Sequence, residues 1–499
     1  MADVIAEQRA GAVQRLRAAQ RAVPAPLAAL LAAVVLVGVT WALLVPPFQA
    51  PDEQSHFGYV QSLVDGPGLP GDLNRPGFST ELLRARDAAN SDQTAALPAV
   101  KPTWSAAEWR GWQAEDERLP DDSRGDGGGI GNPAWSNPPL YYLYAAVPYA
   151  IASGGDLFAR VTLVRLASVL SLLVTALGAW LLAGEVLGRD RLLQLLAAAV
   201  AGLLPMVAFI SAQVGPDGAL YALWTLALWL GVRVIKRGAE PAAAIALLGV
   251  VGLAILVKAT SYALVPAALL ALAVGLWRVH EDRRRAVQTG MWAAAALAVP
   301  VLGWIVYTRL VGRAAAAQVS AAAGTGGAGS LRELASYLWQ YYLPRLPFMT
   351  DFQHGGVPAY QVLFKQGWGA FGWLEVRFPE WLYRLLLVLT AGVAAAAIAR
   401  IVALRRRVDW WVGAFFAVAA AALLAGLHWT DYHYLIEGRG NFIQGRYLFP
   451  LVGLAGLAAA QAVAWLRGRA RAAAVGTLVG CLLALQFVSL AIVAVRFYA

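Results

Sequence analysis

Residues 27–56 read LAALLAAVVLVGVTWALLVPPFQAPDEQSH. This stretch decides the fold because it joins an uncharged apolar run, long enough to cross a bilayer, to a Pro-Asp-Glu step at its far end. No charge lies between Arg21 and Asp52, and then two carboxylates arrive together. Behind the run, Arg9, Arg15, Arg17 and Arg21 precede Pro24 and Pro26. With no small-residue cleavage site, the run reads as a retained signal anchor rather than a removed leader.

The rest of the chain has the same texture. Of 499 residues, 59% are hydrophobic and 14% charged, and the mean hydropathy is +0.57, values of a polytopic membrane protein and not of a soluble domain. The net charge of +10 and the pI near 9.8 would suggest nucleic acid in a soluble protein. In a membrane protein basic residues hold loops on the cytoplasmic side instead, so their positions decide. Cys481 is the single cysteine, which excludes an internal disulfide or a thiolate cluster and suggests packing.

About eleven stretches meet the length of a membrane span. They lie near 27–45, 161–184, 191–212, 216–235, 241–257, 260–277, 289–309, 381–403, 409–427, 446–466 and 472–495. With the N-terminus inside, Arg189, Arg191, Arg233, Lys236, Arg237, Arg278, Arg283 to Arg285, Arg400, Arg405 to Arg407, Arg467, Arg469 and Arg471 all fall on one face. That face is cytoplasmic by the positive-inside rule, which accounts for the net charge without nucleic acid. The chain then divides into a basic N-terminus 1–26, a membrane module 27–309 containing a long outer segment 46–160, a second outer segment 310–380, and a C-terminal membrane module 381–499. No internal repeat is visible.

The outer segments carry local structure. Ser105 with Glu108 and Ser330 with Glu333 have capping-box spacing, each opening a short helix. Trp104 and Trp109 are placed as a hydrophobic staple, and Trp109 and Trp112 share a face suited either to lipid headgroups or to packing between loop helices. Leu334, Tyr337, Leu338 and Tyr341 form a similar stripe. Asp121 to Gly131 is acidic and glycine-rich, as in a mobile loop or lid edge.

Charge at a membrane boundary marks the candidate chemistry. Asp52 could simply cap a helix, but capping needs one acid, and a pair after Pro51 suits a general base at the water interface. His56, four residues on, would share its helical face and could orient it. Asp217 is isolated in a turn between apolar runs, as is Lys258. A turn aspartate and a snorkelling lysine are the plain alternatives, while a lipid-linked phosphate would suit Lys258 equally. Arg439 and Arg446 lie on the outer face against the positive-inside bias, flanked by glycines, as suits bidentate phosphate binding. Asp52, Glu53, His56 and Asp217 could share a divalent cation, although no spacing demands one. No cofactor is otherwise implied, and no dinucleotide or P-loop pattern is present.

Four motifs carry a family resemblance. Pro46 to His56, Asn137-Pro138-Pro139-Leu140-Tyr141-Tyr142, the Asp217 turn and Gln444-Gly445-Arg446-Tyr447 together resemble the DUF2142 group of bacterial membrane proteins and, more broadly, the GT-C glycosyltransferases. The resemblance implies an all-α GT-C-like bundle in the plasma (inner) membrane with an extracytoplasmic site. There a sugar on a polyprenyl phosphate would pass to a glycan, lipid or protein acceptor with inversion. It implies Asp52 and Glu53 as the catalytic acids, and Arg446, with Arg439 and Lys258, as ligands of the donor phosphate. Asp217, His56, Asn137, Tyr141, Gln444 and Tyr447 would contact substrate. Asn137 stands where mannosyltransferase-like members often have histidine or glutamine. The competing reading is a transporter or flippase of an envelope precursor, which predicts broken helices and inverted repeats.

Overall fold

A computed structural model of the protein describes residues 24–69, 77–102, 105–127, 129, 131–279, 283–311, 330–349, 351–352 and 357–499. The basic N-terminal residues 1–23, Trp104 with its staple, and residues 312–329 of the second outer segment lie outside this set.

Among the described residues, nine helices are long and apolar enough to cross a membrane. A tenth span is Arg191–Leu203 followed by Pro205–Ser211, bent by 58°. The break has a local cause: Pro205 has no N–H to continue the ladder, and it forces Leu204 into the extended region at ψ 125°. The 17-residue apolar helix Pro241–Val257 brings the set to the eleven expected.

The bundle is organised around Asp217–Arg237, whose apolar stretch is 72% buried. Small residues let its neighbours approach, since lipid supplies no hydrophobic drive between helices and close backbone packing must replace it. A Cβ on Gly231 would stand 2.3 Å from the Phe415 ring, and one on Gly456 would stand 2.4 Å from the Ala197 carbonyl oxygen.

The two ends of the bundle differ. At one, the basic turns are tied together: Arg278 reaches Asp409 at 2.9 Å, Arg237 reaches Glu185 at 2.7 Å, and Arg471 pairs with Asp190. At the other, the 46–52, 213–217, 258 and 444–447 stretches converge under the first outer segment.

That segment is folded. Both capping boxes form, on Ala106–Asp116 and Leu331–Tyr342. Trp112 is buried edge-on against Phe158 at 5.5 Å, so this indole packs within the protein and not among headgroups. Leu143, Val147 and Ile151 of the 12-residue helix Leu140–Ile151 expose the apolar stripe instead. Tyr337 and Tyr341 are buried against His428. The 121–131 stretch is pinned where it is described: Arg124 reaches Glu81 at 3.2 Å and Asp126 accepts the Thr80 N–H at 2.9 Å. Cys481 is exposed rather than packed. A two-stranded antiparallel ribbon pairs Ala370 with Arg377 and Phe371 with Val376, and its Trp373 indole donates to the Phe48 carbonyl at 3.1 Å.

Candidate functional site

The site begins where Pro46 and Pro47 end the first helix, Ala25–Leu44. Two non-glycine residues in the following turn, Phe48 and Asp52, both have φ 62°. Such backbone costs about 1–3 kcal/mol per residue and persists only where the surroundings over-determine it. Glu53 supplies much of that determination. Its carboxylate accepts from the Phe48 N–H at 3.0 Å and from the Val214 N–H at 3.0 Å, and it takes both Nε and Nη2 of Arg165 at 2.7 and 2.5 Å. Arg165 also donates to the carbonyls of Ala42, Val45 and Pro46, the last turn of the first helix. Glu53 is fully buried and saturated. Expected beside Asp52 in the chemistry, it is placed by the structure between the two turns that carry Asp52 and Asp217, accepting a backbone N–H from each.

Asp52 does not cap the helix it precedes, because its side chain makes no cap hydrogen bond. The carboxylate instead meets Arg446 Nη2 at 2.5 Å. Arg446 Nε lies 3.7 Å from Asp217 Oδ2, and Asp217 Oδ1 pairs with Lys258 Nζ at 2.5 Å. Tyr447 lies beneath both cations, with its ring centroid 5.0 Å from Lys258 Nζ and 5.4 Å from the Arg446 guanidinium. Four residues nominated separately as boundary charges thus form one chain, Asp52–Arg446–Asp217–Lys258. Its ends are unequal: the Lys258 side chain is 13% exposed and Asp52 48%. Asp52 is open toward the site although protein surrounds it. Burial raises its pKa, but the charge and hydrogen bond of Arg446, with the charge of Lys258, help to hold it below the ordinary carboxylate value.

Arg446 is held from all sides. A Cβ on Gly445 would fall 2.6 Å from the Val362 carbonyl oxygen and 2.7 Å from the Gly367 nitrogen, so only glycine fits there. Gln366 Oε1 accepts the Gly445 N–H at 2.9 Å, and the Tyr221 hydroxyl donates to the Arg446 carbonyl at 3.1 Å. Upstream, the Asp431 carboxylate accepts the N–H groups of Phe442 and Ile443 at 2.5 and 2.9 Å. Arg446 Nε is buried and makes no hydrogen bond, with Asp217 Oδ2 the carboxylate that faces it at 3.7 Å.

The other nominated residues divide. His56 is buried, with Nδ1 2.8 Å from the Tyr142 hydroxyl, and burial pushes its pKa down to about 4 against the pull of Asp52. Tyr141 positions the Asp217 turn, its hydroxyl accepting the Gly215 N–H at 2.7 Å and lying 3.2 Å from Ser168. Gln444 has a buried Oε1 with no partner. Asn137 binds the Ala134 carbonyl at 3.2 Å from below Tyr142. Arg439 does not join the cluster: its guanidinium stacks on Tyr434 at 3.8 Å and lies 3.4 Å from Glu437 in an exposed turn. Expected at the donor phosphate, it is placed by the structure against Tyr434 and Glu437 instead. Among the described residues, no group of three or more His, Cys, Asp and Glu side chains is placed to share a metal ion, so the four-residue cation set does not converge.

Sequence reasoning passed over Arg165, Tyr221, Gln366 and Asp431. Arg165 was findable, being an arginine inside the apolar helix Leu157–Leu187, where a charge is costly. Asp431 lies in the last turns of Trp410–Ile436, beyond the span expected to end at 427.

With this geometry in hand, comparisons add the following. The chain matches the sequence profile of a family described as "Predicted membrane protein (DUF2142)" over residues 35–455. No curated protein sequence matches it. Among solved structures, the oligosaccharyltransferase AglB from Archaeoglobus fulgidus, in complex with an inhibitory peptide and a dolichol-phosphate, aligns over 95% of this chain and 56% of its own, with TM-score 0.52 and 11% identity. ArnT from Cupriavidus metallidurans bound to undecaprenyl phosphate aligns over 90% of this chain and 62% of its own, with TM-score 0.44 and 15% identity. The chain therefore spans little more than half the length of these two proteins. Its helical bundle is GT-C-like.

Proposed function

This chain belongs to the DUF2142 family of membrane proteins, and from that premise we propose that it is a glycosyltransferase moving a sugar from a polyprenyl-phosphate donor to a cell-envelope acceptor on the extracytoplasmic face. The observation that carries the reading is the convergence of Asp52, Arg446, Asp217 and Lys258 at one end of the bundle, with Asp52 open, Arg446 buried and Lys258 part-buried. The likeness in fold to a protein seen with dolichol-phosphate supports it.

The chemistry follows from the pairing. A donor phosphate entering the cluster competes with the carboxylates for Arg446 and Lys258, first at Arg446 Nη2, whose partner Asp52 is half-exposed. As the phosphate neutralises Arg446, the charge that holds down the Asp52 pKa is screened, and Asp52 becomes a better base. Asp52 then takes the acceptor hydroxyl proton. The acceptor oxygen bonds to the anomeric carbon from the face opposite the phosphate, the carbon–phosphate-oxygen bond breaks, and polyprenyl phosphate leaves with the electron pair, stabilised by the two cations. The anomeric centre inverts.

The test is a panel of polyprenyl-phosphate sugars supplied to the purified protein in lipid, comparing wild type with Asp52→Asn. Transfer that is lost in the variant while donor binding persists supports Asp52 as base; undiminished transfer removes it. The bent Arg191–Leu203/Pro205–Ser211 pair is the one feature that favours a transporter of the same lipid-linked substrate. Donor binding and translocation without transfer by wild type would select that reading.

A further inference from the structure

The motifs at 51–56 and 137–142 meet in one hydrogen-bond chain that the transfer steps above do not use. The Tyr142 hydroxyl lies 2.8 Å from His56 Nδ1 and receives a hydrogen bond from the Asn137 side chain. The Asn137 amide is oriented by its Nδ2, which donates to the Ala134 carbonyl at 3.2 Å. A phenol carries a single proton. Asn137 donates to its oxygen, and among the described residues the other hydrogen-bond partner of that hydroxyl is Nδ1, so the phenol proton has Nδ1 as its acceptor; a neutral imidazole whose Nδ1 accepts carries its hydrogen on Nε2. Tyr142 cannot swing away, because its ring is stacked on Tyr59 at 3.8 Å and buried.

Gly215 decides what the other edge of the ring meets. A Cβ there would lie 3.3 Å from His56 Cδ2 and 3.9 Å from Nε2, in the turn that carries Asp217. Glycine leaves that edge uncovered, and among the described residues Nε2 has no hydrogen-bond acceptor. An N–H that no protein acceptor engages is free to donate to a ligand.

We propose that the Asn137–Tyr142–His56 chain fixes His56 as a neutral Nε2–H donor to an oxygen of the bound substrate, with Tyr142 and Asn137 as positioning residues. The identity of the substrate rests on the transfer reading; the tautomer does not. Charged and titratable groups facing the ring are Asp52, Asp217, Lys258, Arg446 and Tyr142, two carboxylates set against two cations, and burial favours the uncharged ring. This assigns His56 neither to general base catalysis nor to cation binding, and it gives the two motifs a shared physical purpose.

The experiment is nitrogen-15 spectroscopy of the full-length protein in lipid nanodiscs with labelled histidine, His56 being assigned among the five histidines by its loss in His56→Gln. The expected result is a single neutral, Nε2-protonated ring from about pH 5 to pH 8, and a mixture of tautomers in Tyr142→Phe. An Nδ1-protonated or cationic ring at pH 6 overturns the proposal, as does an unchanged spectrum in Tyr142→Phe. In the transfer assay both variants lose kcat/KM, but His56→Gln, which keeps an N–H donor, loses roughly tenfold less than His56→Ala, the worth of one hydrogen bond to substrate. Equal losses in the two variants overturn the substrate contact. Absence of transfer by wild type overturns the transfer reading, and the spectra still decide the tautomer.

Discussion

Asp52 and Glu53 are adjacent in the chain, yet each is paired with a different arginine, and the two pairs are built differently. Glu53 with Arg165 is closed: both side chains are buried, and the pair ties down carbonyls of the first helix and N–H groups of two turns. Asp52 with Arg446 is open: the carboxylate is half-exposed, and the arginine keeps an Nε that makes no hydrogen bond. A saturated pair can only hold its neighbours in place. An unsaturated one can exchange its partner for a ligand, so the first pair is the frame and the second the working part.

The sharpest break of this comparison is Arg165→Ala. It leaves Glu53 buried without a counter-charge, which costs about 3–5 kcal/mol. The expected outcome is loss of the monodisperse protein on size-exclusion chromatography, and a folded, active variant would dissolve the frame assignment. Next comes Asp52→Asn, which should lower transfer by about 10²–10⁴-fold, the span of a lost general base. Its thermal midpoint should stay near that of wild type, because the lost partner is half-exposed.

A smaller effect is expected from pH. The folded His56 pKa of about 4 lies below its unfolded value near 6.5, so between the two the unfolded state binds the proton and the folded state does not. Stability should therefore fall as pH is lowered from about 6.5 toward 4, and the slope should diminish in His56→Gln, read by thermal unfolding at a series of pH values. Asp52, with its lowered pKa, adds stability that persists above its unfolded value and disappears as pH falls through the folded one. The smallest effect is that of Arg439→Ala, which sits outside the cluster and should change the donor KM by less than about twofold, as expected of a surface residue. A tenfold rise would return Arg439 to the phosphate site.

Much of the site was legible because membrane boundaries penalise charge. Asp217 and Lys258 each stood alone in apolar surroundings, Asp52 stood with Glu53 at the end of a span and Arg446 at the start of another, and the basic turns elsewhere assigned all four to the same end of the bundle. The division between Asp52 and Glu53 was not legible. Both acids follow Pro51, and nothing local distinguishes them; a left-handed turn at Asp52 sends one carboxylate to Arg446 and the other to Arg165. Arg439 misled for the same reason, since a glycine-flanked arginine on the outer face looks alike whether it binds phosphate or stacks on Tyr434.

Taken by itself, the sequence determined the class, the approximate number and position of the spans, and which charges had to be explained, because burial of apolar length and the cost of isolated charge are properties of short segments. The tertiary structure alone decided who pairs with whom. Asp52 meets Arg446 across 394 positions and Glu53 meets Arg165 across 112, and at such separations the partner is chosen by how the helices pack rather than by any local pattern.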